Sequence, residues 1–335
     1  MRILILQLRR IGDILLTTPV ISYLKSALPG ATVDFLAEPM GKTVLETHPK
    51  LDELLIYDRA NPARQILEVR RRRYDAVLDF MNNPRSTTIT ALSGARWKVG
   101  FKASPRSVLY NVAPRVPVEP EYVPLRKLRM TREWLSAAGL PAPEPASIRP
   151  ELNLIEADRE FASGWMRNEG VSAGAYAILA PAHRHPIRAW RANGFQSVAL
   201  ALRARGLRPF LAWGPGEEGV MADVRRGHEA EIGLLPLTTL RQMAAIFSPA
   251  KLVVTNDSGA MHLAVAAGAP TVTIYGPTRP IDWNPSLAGA GPRDRAISAT
   301  GVSCLGCHLL ACPIGHICMT DLPDARVIAA CETVL

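Results

Sequence analysis

Short apolar runs that alternate with helical patterns constrain this chain more than any other feature of its sequence. The runs in the first half are RILILQL, TVDFLAE, LDELLIYD and YDAVLDF, and those in the second are YAILAPA, RPFLAWG, AEIGL, KLVVTND and TVTIYGP. Helical stretches such as RQILEVRRRR, GFQSVALALRARG and TTLRQMAAIFSPA separate several of them. Apolar runs of this kind are typical of buried parallel strands, and their alternation with helices indicates an open sheet. Each half therefore predicts a doubly wound α/β domain.

A proline-rich stretch, AAGLPAPEPASIRPELNL at residues 137–154, separates the two halves. Proline density of this kind is typical of a linker. The chain of 335 residues is also long enough for two domains of ordinary size. We predict an N-terminal domain of residues 1–150 and a C-terminal domain of residues 151–335.

The charge of the chain points to an anionic partner. Lysine plus arginine exceeds aspartate plus glutamate by 39 to 30, which gives a formal net charge of +9. A nucleic acid, a phosphorylated substrate or an acidic membrane surface would each suit this surplus. No apolar run reaches the roughly 18 residues that suggest a membrane-spanning helix, and the start of the chain has no signal-peptide pattern. We therefore expect a cytoplasmic protein whose cysteines are thiols or metal ligands rather than disulfides.

The turn after the first strand, RRIGDILLTTP, carries a carboxylate. Gly12 allows a tight turn, and Asp13 stands near the carboxyl end of the strand, where open α/β sheets bind ligands. Asp13 is either a general base or a helix cap. Pro19 either kinks the following helix or restarts it. The turn matches neither GxGxxG nor a P-loop, which disfavours a Rossmann dehydrogenase and a Walker nucleotidase.

A second polar turn, TNDSGAMH, joins a predicted strand to a helix of small residues. Ser258 is a suitable helix cap, and Gly259 would let a ligand approach the backbone. The free N–H groups of a helix start suit an anion, and Asp257 and His262 could hold hydroxyls or a diphosphate. The simpler alternative is a capped helix with a polar rim.

Two further strand ends in the second half carry charged residues. HRHPIRAWRANGF places His183, Arg184, His185, Arg188 and Arg191 after one strand, and arginine forks match diphosphate oxygens. These side chains either converge on a ligand or form a solvated basic loop.

In AWGPGEEG, after the next strand, Glu217 or Glu218 could accept ribose hydroxyls or simply favour a helix start.

Together these stretches resemble the ADP-heptose–lipopolysaccharide heptosyltransferase family, glycosyltransferase family 9. The resemblance is carried by IGDILLTTP, RAWRANGF, WGPGEEG and TNDSGAMHLAVAAGAPTVTIYGPT. It extends over most of the chain in the family's order and spacing, and the last motif is the most specific. LDFMNNPRSTTITALSGARWKVGFK is also similar to the family.

The resemblance implies a GT-B fold, in which two Rossmann-like domains face each other across a cleft. The N-terminal domain would bind the acceptor, and the C-terminal domain would bind an ADP-sugar. The implied reaction is an inverting transfer of a heptose to the lipopolysaccharide inner core, with no metal or other cofactor required for catalysis. Asp13 takes the place of the family's proposed general base, and one carboxylate suffices to remove a proton from the attacking hydroxyl.

The resemblance also implies roles for the second half. Residues 257–262 match the family's Asp-Ser-Gly-x-x-His element, so the helix start would receive the donor diphosphate. The family has a lysine shortly before its motif tryptophan, and here Arg188 stands at that place before Trp190. The family's proline after that tryptophan is Arg191. We expect Arg188 to supply positive charge to the departing ADP.

Arginines crowd the first half, where the resemblance places the acceptor. They are Arg59, Arg64, residues 70–73, Arg85, Arg96 and Arg106. Within the implied function they face a phosphorylated or Kdo-bearing lipid A glycolipid at the inner face of the cytoplasmic membrane. Residues 70–73 would contact anionic headgroups at roughly 1 kcal/mol per residue, unless they form an ordinary solvated helix face.

The C-terminal region contains four closely spaced cysteines. Cys304, Cys307, Cys312 and Cys318 form the pattern C-x2-C-x4-C-x5-C, with His308 and His316 between them. Four such thiols could bind a structural zinc ion or an iron–sulfur cluster. They could equally be free, partly buried thiols, because the spacing matches no standard zinc pattern closely.

Two other kinds of protein stay open on the sequence alone. One is a different sugar-nucleotide enzyme of GT-B fold, either a hexosyltransferase or an epimerase. The other is a nucleic-acid-binding module that uses the basic half. The chain lacks the clustered aromatics of a base-stacking platform and any zinc-finger spacing, so we expect no nucleic-acid partner.

Overall fold

The structure is a computed structural model that describes all 335 residues of the chain. The chain divides into two compact units, Met1–Asn153 and Leu154–Leu335. The division lies within the proline-rich stretch, whereas the sequence pattern placed the boundary at residue 150. Each unit contains one sheet of parallel strands, which confirms the doubly wound α/β fold predicted for each half.

Five parallel strands form the sheet of the first unit. They are β1 (Arg2–Leu6), β2 (Thr32–Ala37), β3 (Glu53–Ile56), β4 (Ala76–Asp79) and β5 (Trp97–Gly100). Their order across the sheet is β3-β2-β1-β4-β5. The strand order therefore reverses between β1 and β4, and open α/β sheets bind ligands outside the carboxyl ends of strands at such a point.

Six helices connect and follow these strands. They are α1 (Ile11–Leu15), α2 (Thr18–Ala27), α3 (Pro39–Leu45), α4 (Pro62–Arg71), α5 (Pro84–Leu92) and α6 (Val123–Ala137), and a 3₁₀ turn spans Pro105–Leu109. α1 ends before Pro19, and α2 carries this proline in its first turn. Pro19 thus restarts the helix rather than kinking it, because a first-turn residue needs no N–H partner.

Six parallel strands form the sheet of the second unit. They are β6 (Tyr176–Ala180), β7 (Arg208–Leu211), β8 (Gly233–Leu234), β9 (Leu252–Asn256), β10 (Thr271–Ile274) and β11 (Arg295–Ile297). Their order is β11-β10-β9-β6-β7-β8, so the strand order reverses between β6 and β9. The sequence patterns predict all of these strands except β11, and in the first unit they miss only β5.

Eight helices accompany the second sheet. They are α7 (Glu156–Glu169), α8 (Ala192–Ala204), α9 (Glu218–Arg225), α10 (Leu240–Phe247), α11 (Gly259–Ala266), α12 (Pro280–Trp283), α13 (Ile317–Thr320) and α14 (Asp324–Glu332), with 3₁₀ turns at Pro186–Arg188 and Pro285–Ala288. No helix in either unit combines the length and the apolar character that a membrane crossing would require.

Close packing positions the loop between β6 and α8. Trp190 is buried, and its ring meets Phe195 edge to face at a centroid distance of 5.3 Å. A Cβ atom on Gly194 would lie 2.6 Å from the Trp190 ring, so only glycine leaves room for the indole. The buried indole therefore anchors the loop that carries Arg188.

Candidate active site

Asp13 lies on α1, just beyond the carboxyl end of β1, where the first sheet reverses its strand order. Its side chain is half-buried, and Oδ2 accepts a long hydrogen bond of 3.3 Å from the backbone N–H of Arg10. Oδ1 accepts no hydrogen bond within the protein. The carboxylate thus contributes to the helix start with one oxygen and keeps the other available, so both roles open from the sequence are compatible with the structure.

A cluster of arginines surrounds Glu38 at the carboxyl ends of the strands of the first sheet, on the same side as Asp13. The Glu38 side chain is largely buried and receives a hydrogen bond from Arg59, with Arg85 at 3.2 Å and Arg9 at 4.0 Å. These residues come from the segments that follow β1, β2, β3 and β4. One carboxylate among these guanidinium groups leaves the cluster positively charged, and the arginines stay about half exposed. The sequence analysis did not single out Glu38, although it is the last residue of the predicted strand TVDFLAE.

Residues 70–73 lie at the opposite side of this sheet, where the amino ends of the strands are. They close α4, which leads into the amino end of β4. Arg72 is paired with Glu53 and Glu68, at 2.9 Å in the second case. The residues predicted to contact headgroups therefore lie at the amino ends of the strands, whereas Asp13 lies at the carboxyl ends. One of the four, Arg72, already has its charge paired.

Asn256 and His183 hold together the loops that follow β9 and β6. The Asn256 side-chain amide donates to the carbonyl of Pro181 at 2.7 Å and accepts from the N–H of Trp190 at 3.0 Å. His183 Nε2 lies 3.0 Å from the carbonyl oxygen of Asp257. These bonds form at the reversal between β6 and β9, which is the ligand position in folds of this type.

The Asp257 carboxylate is buried at this reversal. Thr278 donates a hydrogen bond to it. Burial raises the pKa of Asp257 to about 6, and the nearby charge of Arg188 opposes this rise whereas Asp282 adds to it. Arg188 is thus close enough to act on Asp257, and its buried Nε has no hydrogen-bond partner in the protein. An unpaired guanidinium donor beside a carboxylate suits a polar, anionic ligand.

The first turn of α11 has no side-chain cap and has open space at Gly259. Ser258 stands at the N-cap position, but its hydroxyl makes no capping bond and lies 3.3 Å from the Thr255 hydroxyl. The predicted cap is thus correct in position only. A Cβ atom on Gly259 would meet nothing within 4 Å. His262 is buried and faces the ring of Trp283, with centroids 5.8 Å apart.

The arginines after β6 do not all converge, which corrects the sequence-based expectation for this loop. Arg191 turns away and binds Asp324 together with the carbonyl of Leu322. Arg184 is exposed, and its guanidinium lies 2.9 Å from His185 Nε2. Only Arg188 of these arginines acts on Asp257.

The two glutamates after β7 take part in their own turn. Glu217 Oε2 accepts from the N–H of Gly214 at 2.8 Å, and Glu218 Oε1 accepts from the N–H of Gly216 at 3.2 Å. Glu217 immediately precedes α9. The structure therefore realises the helix-start alternative for both residues, while a role of Glu217 in binding a ribose stays a prediction.

The four cysteines near the C-terminus lie close enough to interact: burial raises the pKa of the Cys318 thiol, and Cys304, Cys307 and Cys312 raise it further. A metal site at these thiols stays a prediction. Cys304 and Cys307 are exposed, Cys312 is half-buried and Cys318 is buried. The backbone N–H of His316 donates to Cys312 Sγ at 3.3 Å. No group of three or more histidine, cysteine, aspartate or glutamate side chains could hold a metal ion.

Sequence reasoning missed Lys127, Thr278 and Asp282. Thr278 and Asp282 follow β10, and extending the search beyond its carboxyl end would have found them. Lys127 lies within α6, far along the chain from β1 and α1, and its ammonium contacts the Asp13 carbonyl at 3.0 Å. No local pattern marks such a residue, because only the packing of α6 brings it there.

Each unit is Rossmann-like and carries polar side chains at the point where its strand order reverses, and the chain shares the GT-B fold with solved family 9 structures. Residues 63–316 match glycosyltransferase family 9 (heptosyltransferase), and the chain belongs to this family. The resemblance described above is thereby confirmed, and the protein is an enzyme. Asp13 precedes the matched range.

Individual relatives cover nearly the whole chain. Lipopolysaccharide heptosyltransferase 1 of Escherichia coli O18:K1:H7 (strain RS218 / NMEC) is 26% identical over 302 residues, which are 84% of this chain and 87% of that protein. A glycosyl transferase family 9 structure from Veillonella parvula DSM 2008 has a TM-score of 0.81 at 21% identity, covering 99% of this chain and 96% of that one. E. coli heptosyltransferase WaaC, solved with ADP-2-deoxy-2-fluoro heptose, has a TM-score of 0.74 at 22% identity and covers 100% of both chains.

Proposed function

We propose that the protein transfers a heptose from ADP-heptose to the inner core of lipopolysaccharide. The observation that carries this proposal is Arg188, whose unpaired Nε is buried close to Asp257 at the strand reversal of the second sheet. Membership of family 9 supports it, and so do the relative named as a lipopolysaccharide heptosyltransferase and the neighbour solved with an ADP-heptose analogue.

The second unit binds the donor in this proposal. The open first turn of α11 presents backbone N–H groups to the diphosphate, and Arg188 adds a full positive charge. Asp257, Ser258 and His262 orient the sugar nucleotide, and the open space above Gly259 admits the ligand. The free oxygen of Glu217 accepts ribose hydroxyls while its other oxygen keeps the turn closed.

The first unit binds the acceptor and supplies the base. Asp13 removes the proton from the acceptor hydroxyl as this oxygen attacks the anomeric carbon, and ADP leaves from the opposite face. This single displacement inverts the anomeric configuration. Arg188 stabilises the negative charge that develops on the ADP diphosphate, which is why the proposed reaction uses no metal ion.

The arginine cluster around Glu38 fits the anionic groups of a lipid A-Kdo acceptor. Its guanidinium groups lie, like Asp13, at the carboxyl ends of the strands of the first sheet. Phosphate or carboxylate groups bound there would therefore lie near the base. Such an acceptor resides in the cytoplasmic membrane, and we propose peripheral contact of the enzyme with the inner face of that membrane. Contact of headgroups with residues 70–73, at the amino ends of the strands, stays a separate prediction.

A donor competition assay tests the proposal. Purified protein is incubated with a lipid A-Kdo acceptor and either ADP-heptose, ADP-glucose, UDP-glucose or UDP-GlcNAc. We expect ADP release and a heptose-sized mass gain of the acceptor with ADP-heptose only, and NMR of the product should show the inverted anomeric configuration. Preferred transfer from another nucleotide sugar would indicate a different hexosyltransferase. Conversion of a nucleotide sugar without an acceptor would indicate an epimerase.

A further inference from the structure

The ammonium group of Lys127 is buried directly beneath the turn that carries Asp13. Lys127 is only 5% exposed. Its Nζ donates to the Thr17 hydroxyl at 2.6 Å, to the Asp13 carbonyl at 3.0 Å and to Gln7 Oε1 at 3.2 Å. An ammonium has three N–H donors, so these three acceptors use all of them.

The three acceptors come from the three parts of one connection. Gln7 follows β1, Asp13 lies on α1, and Thr17 directly precedes α2. Gln7 also donates from Nε2 to the carbonyl of Arg9 at 2.7 Å, and the Thr17 hydroxyl donates to the Asp13 carbonyl at 2.6 Å. A single ammonium therefore links the end of the strand, the helix that carries the carboxylate and the start of the next helix.

The ammonium loses its hydration at this buried position. Its three hydrogen bonds offset that loss, and an apolar side chain of similar length would leave the three acceptors without this donor. No carboxylate contacts the ammonium. The charges that act on it are Asp13, which favours the ammonium, and Arg126, which disfavours it, while the Phe80 ring centroid lies 5.6 Å away.

We propose that Lys127 is a positioning residue, whose ammonium holds the backbone of Asp13 so that the carboxylate stays in place to act as the base. This inference rests on the role proposed for Asp13. Lys127 itself does not touch the reacting atoms. It acts through the Asp13 carbonyl, which it shares with the Thr17 hydroxyl.

The protonation of Lys127 gives this role a pH signature. Burial lowers the pKa of Lys127 to about 8. A neutral amine has only two N–H donors, so deprotonation removes one of the three hydrogen bonds. The turn should loosen, and turnover should fall, as the pH rises through about 8.

The test compares Lys127→Met with the wild type and with Lys251→Met, the same change at a half-buried lysine before β9. We expect Lys127→Met to lower kcat by roughly tenfold or more at pH 7, to leave KM for ADP-heptose within about twofold and to abolish the alkaline decline. Its melting temperature should also fall, because Gln7 Oε1 and the Asp13 carbonyl lose a donor, so the pH profile and the split between kcat and KM carry the test. A kcat close to wild type, or an alkaline decline that persists in Lys127→Met, would overturn the inference.

Gln7→Glu provides a second variant that keeps the lysine and decides the question if Lys127→Met fails to fold. The new carboxylate would face the ammonium and raise the pKa of Lys127, so the alkaline decline should move upward by about one pH unit. A decline that does not move would show that Lys127 has no part in it.

Hydrogen exchange measures the same contact without any substrate. After correction for the intrinsic pH dependence, exchange in peptides spanning residues 7–17 should increase between pH 7 and pH 9 in the wild type. It should be fast at both pH values in Lys127→Met. Absence of both differences would overturn the inference even if heptose transfer is observed, and absence of heptose transfer by the wild type would instead overturn the proposed function.

Discussion

His183 holds the backbone of Asp257 through a hydrogen bond from its imidazole. Nε2 lies 3.0 Å from the Asp257 carbonyl oxygen, and the N–H of His185 donates to Nδ1 at 2.9 Å. Burial lowers the pKa of His183 to about 4, so the ring is neutral at pH 7, and Nδ1, which accepts a bond, leaves the proton on Nε2. The bond thus joins the loops after β6 and β9, where the second sheet reverses its strand order.

His183 and Asp257 should make the stability of the protein respond to acid in opposite directions. As the pH falls from about 6.5 to 4, His183 takes up a proton in the unfolded chain but not in the folded one, so its contribution to stability is lost. As the pH falls from about 6 to 4, buried Asp257 takes up its proton in the folded protein first, so stability is gained. The two effects oppose each other in nearly the same pH window.

Asp257→Asn should expose the contribution of His183. We expect this variant to lose more stability than the wild type between pH 6.5 and pH 4, by on the order of 3 kcal/mol at most. Urea unfolding followed at several pH values measures the difference, and Asp223→Asn, at an exposed site on α9, serves as the control. Parallel pH profiles of Asp257→Asn and wild type would contradict the prediction.

Arg188→Ala should lower turnover more than it weakens donor binding. The guanidinium charge matters most when the bond between sugar and diphosphate breaks, so its loss should affect kcat more than KM for ADP-heptose. Arg188→Lys should keep much of the activity, since an ammonium can still reach the phosphates without bidentate geometry. Steady-state kinetics should rank Arg184→Ala above Arg188→Ala, because Arg184 is exposed and binds His185. The reverse ranking would give Arg184 the role assigned to Arg188.

Asp13→Asn should lower turnover by about two orders of magnitude or more, which is the scale of a lost general base. Binding of ADP, measured by calorimetry, should stay nearly unchanged, because the proposed donor site consists of residues of the second unit. The amide can still accept the hydrogen bond from Arg10, so helix α1 should persist and circular dichroism should match the wild type. A folded variant with near-normal turnover would exclude Asp13 as the base.

Metal analysis tests the prediction of a structural metal in the cysteine segment. If Cys304, Cys307, Cys312 and Cys318 bind zinc or an iron–sulfur cluster, protein prepared under reducing, metal-replete conditions should contain it stoichiometrically. Removal of the metal should then lower the melting temperature and leave transfer intact in the molecules that stay folded. Metal-free protein with freely titratable thiols would instead establish the alternative of free thiols.

The sequence predicted every strand except β5 and β11. Both missed strands are short and lack a continuous apolar run, as WKVG and RAI show, whereas β3, which also lies at a sheet edge, contains one in residues 54–56. It also placed Arg188 and Arg191 together, although their side chains point to different partners. The reason is that a loop can direct neighbouring side chains to opposite sides. Trp190, which lies between the two arginines in the sequence, is buried, and Arg191 binds Asp324.

The sequence by itself determined the two α/β units, the family and the strand ends at which Asp13 and Asp257 stand. These follow from local periodicity and from motifs that are continuous in the chain. Only the tertiary structure decided that Lys127 lies beneath Asp13 and that arginines from three other loops contact or approach Glu38. It also decided that residues 70–73 lie at the amino ends of the strands, opposite Asp13. Those relationships depend on which strands become neighbours and in which direction they run, and side-chain patterns along a single segment carry no information about either.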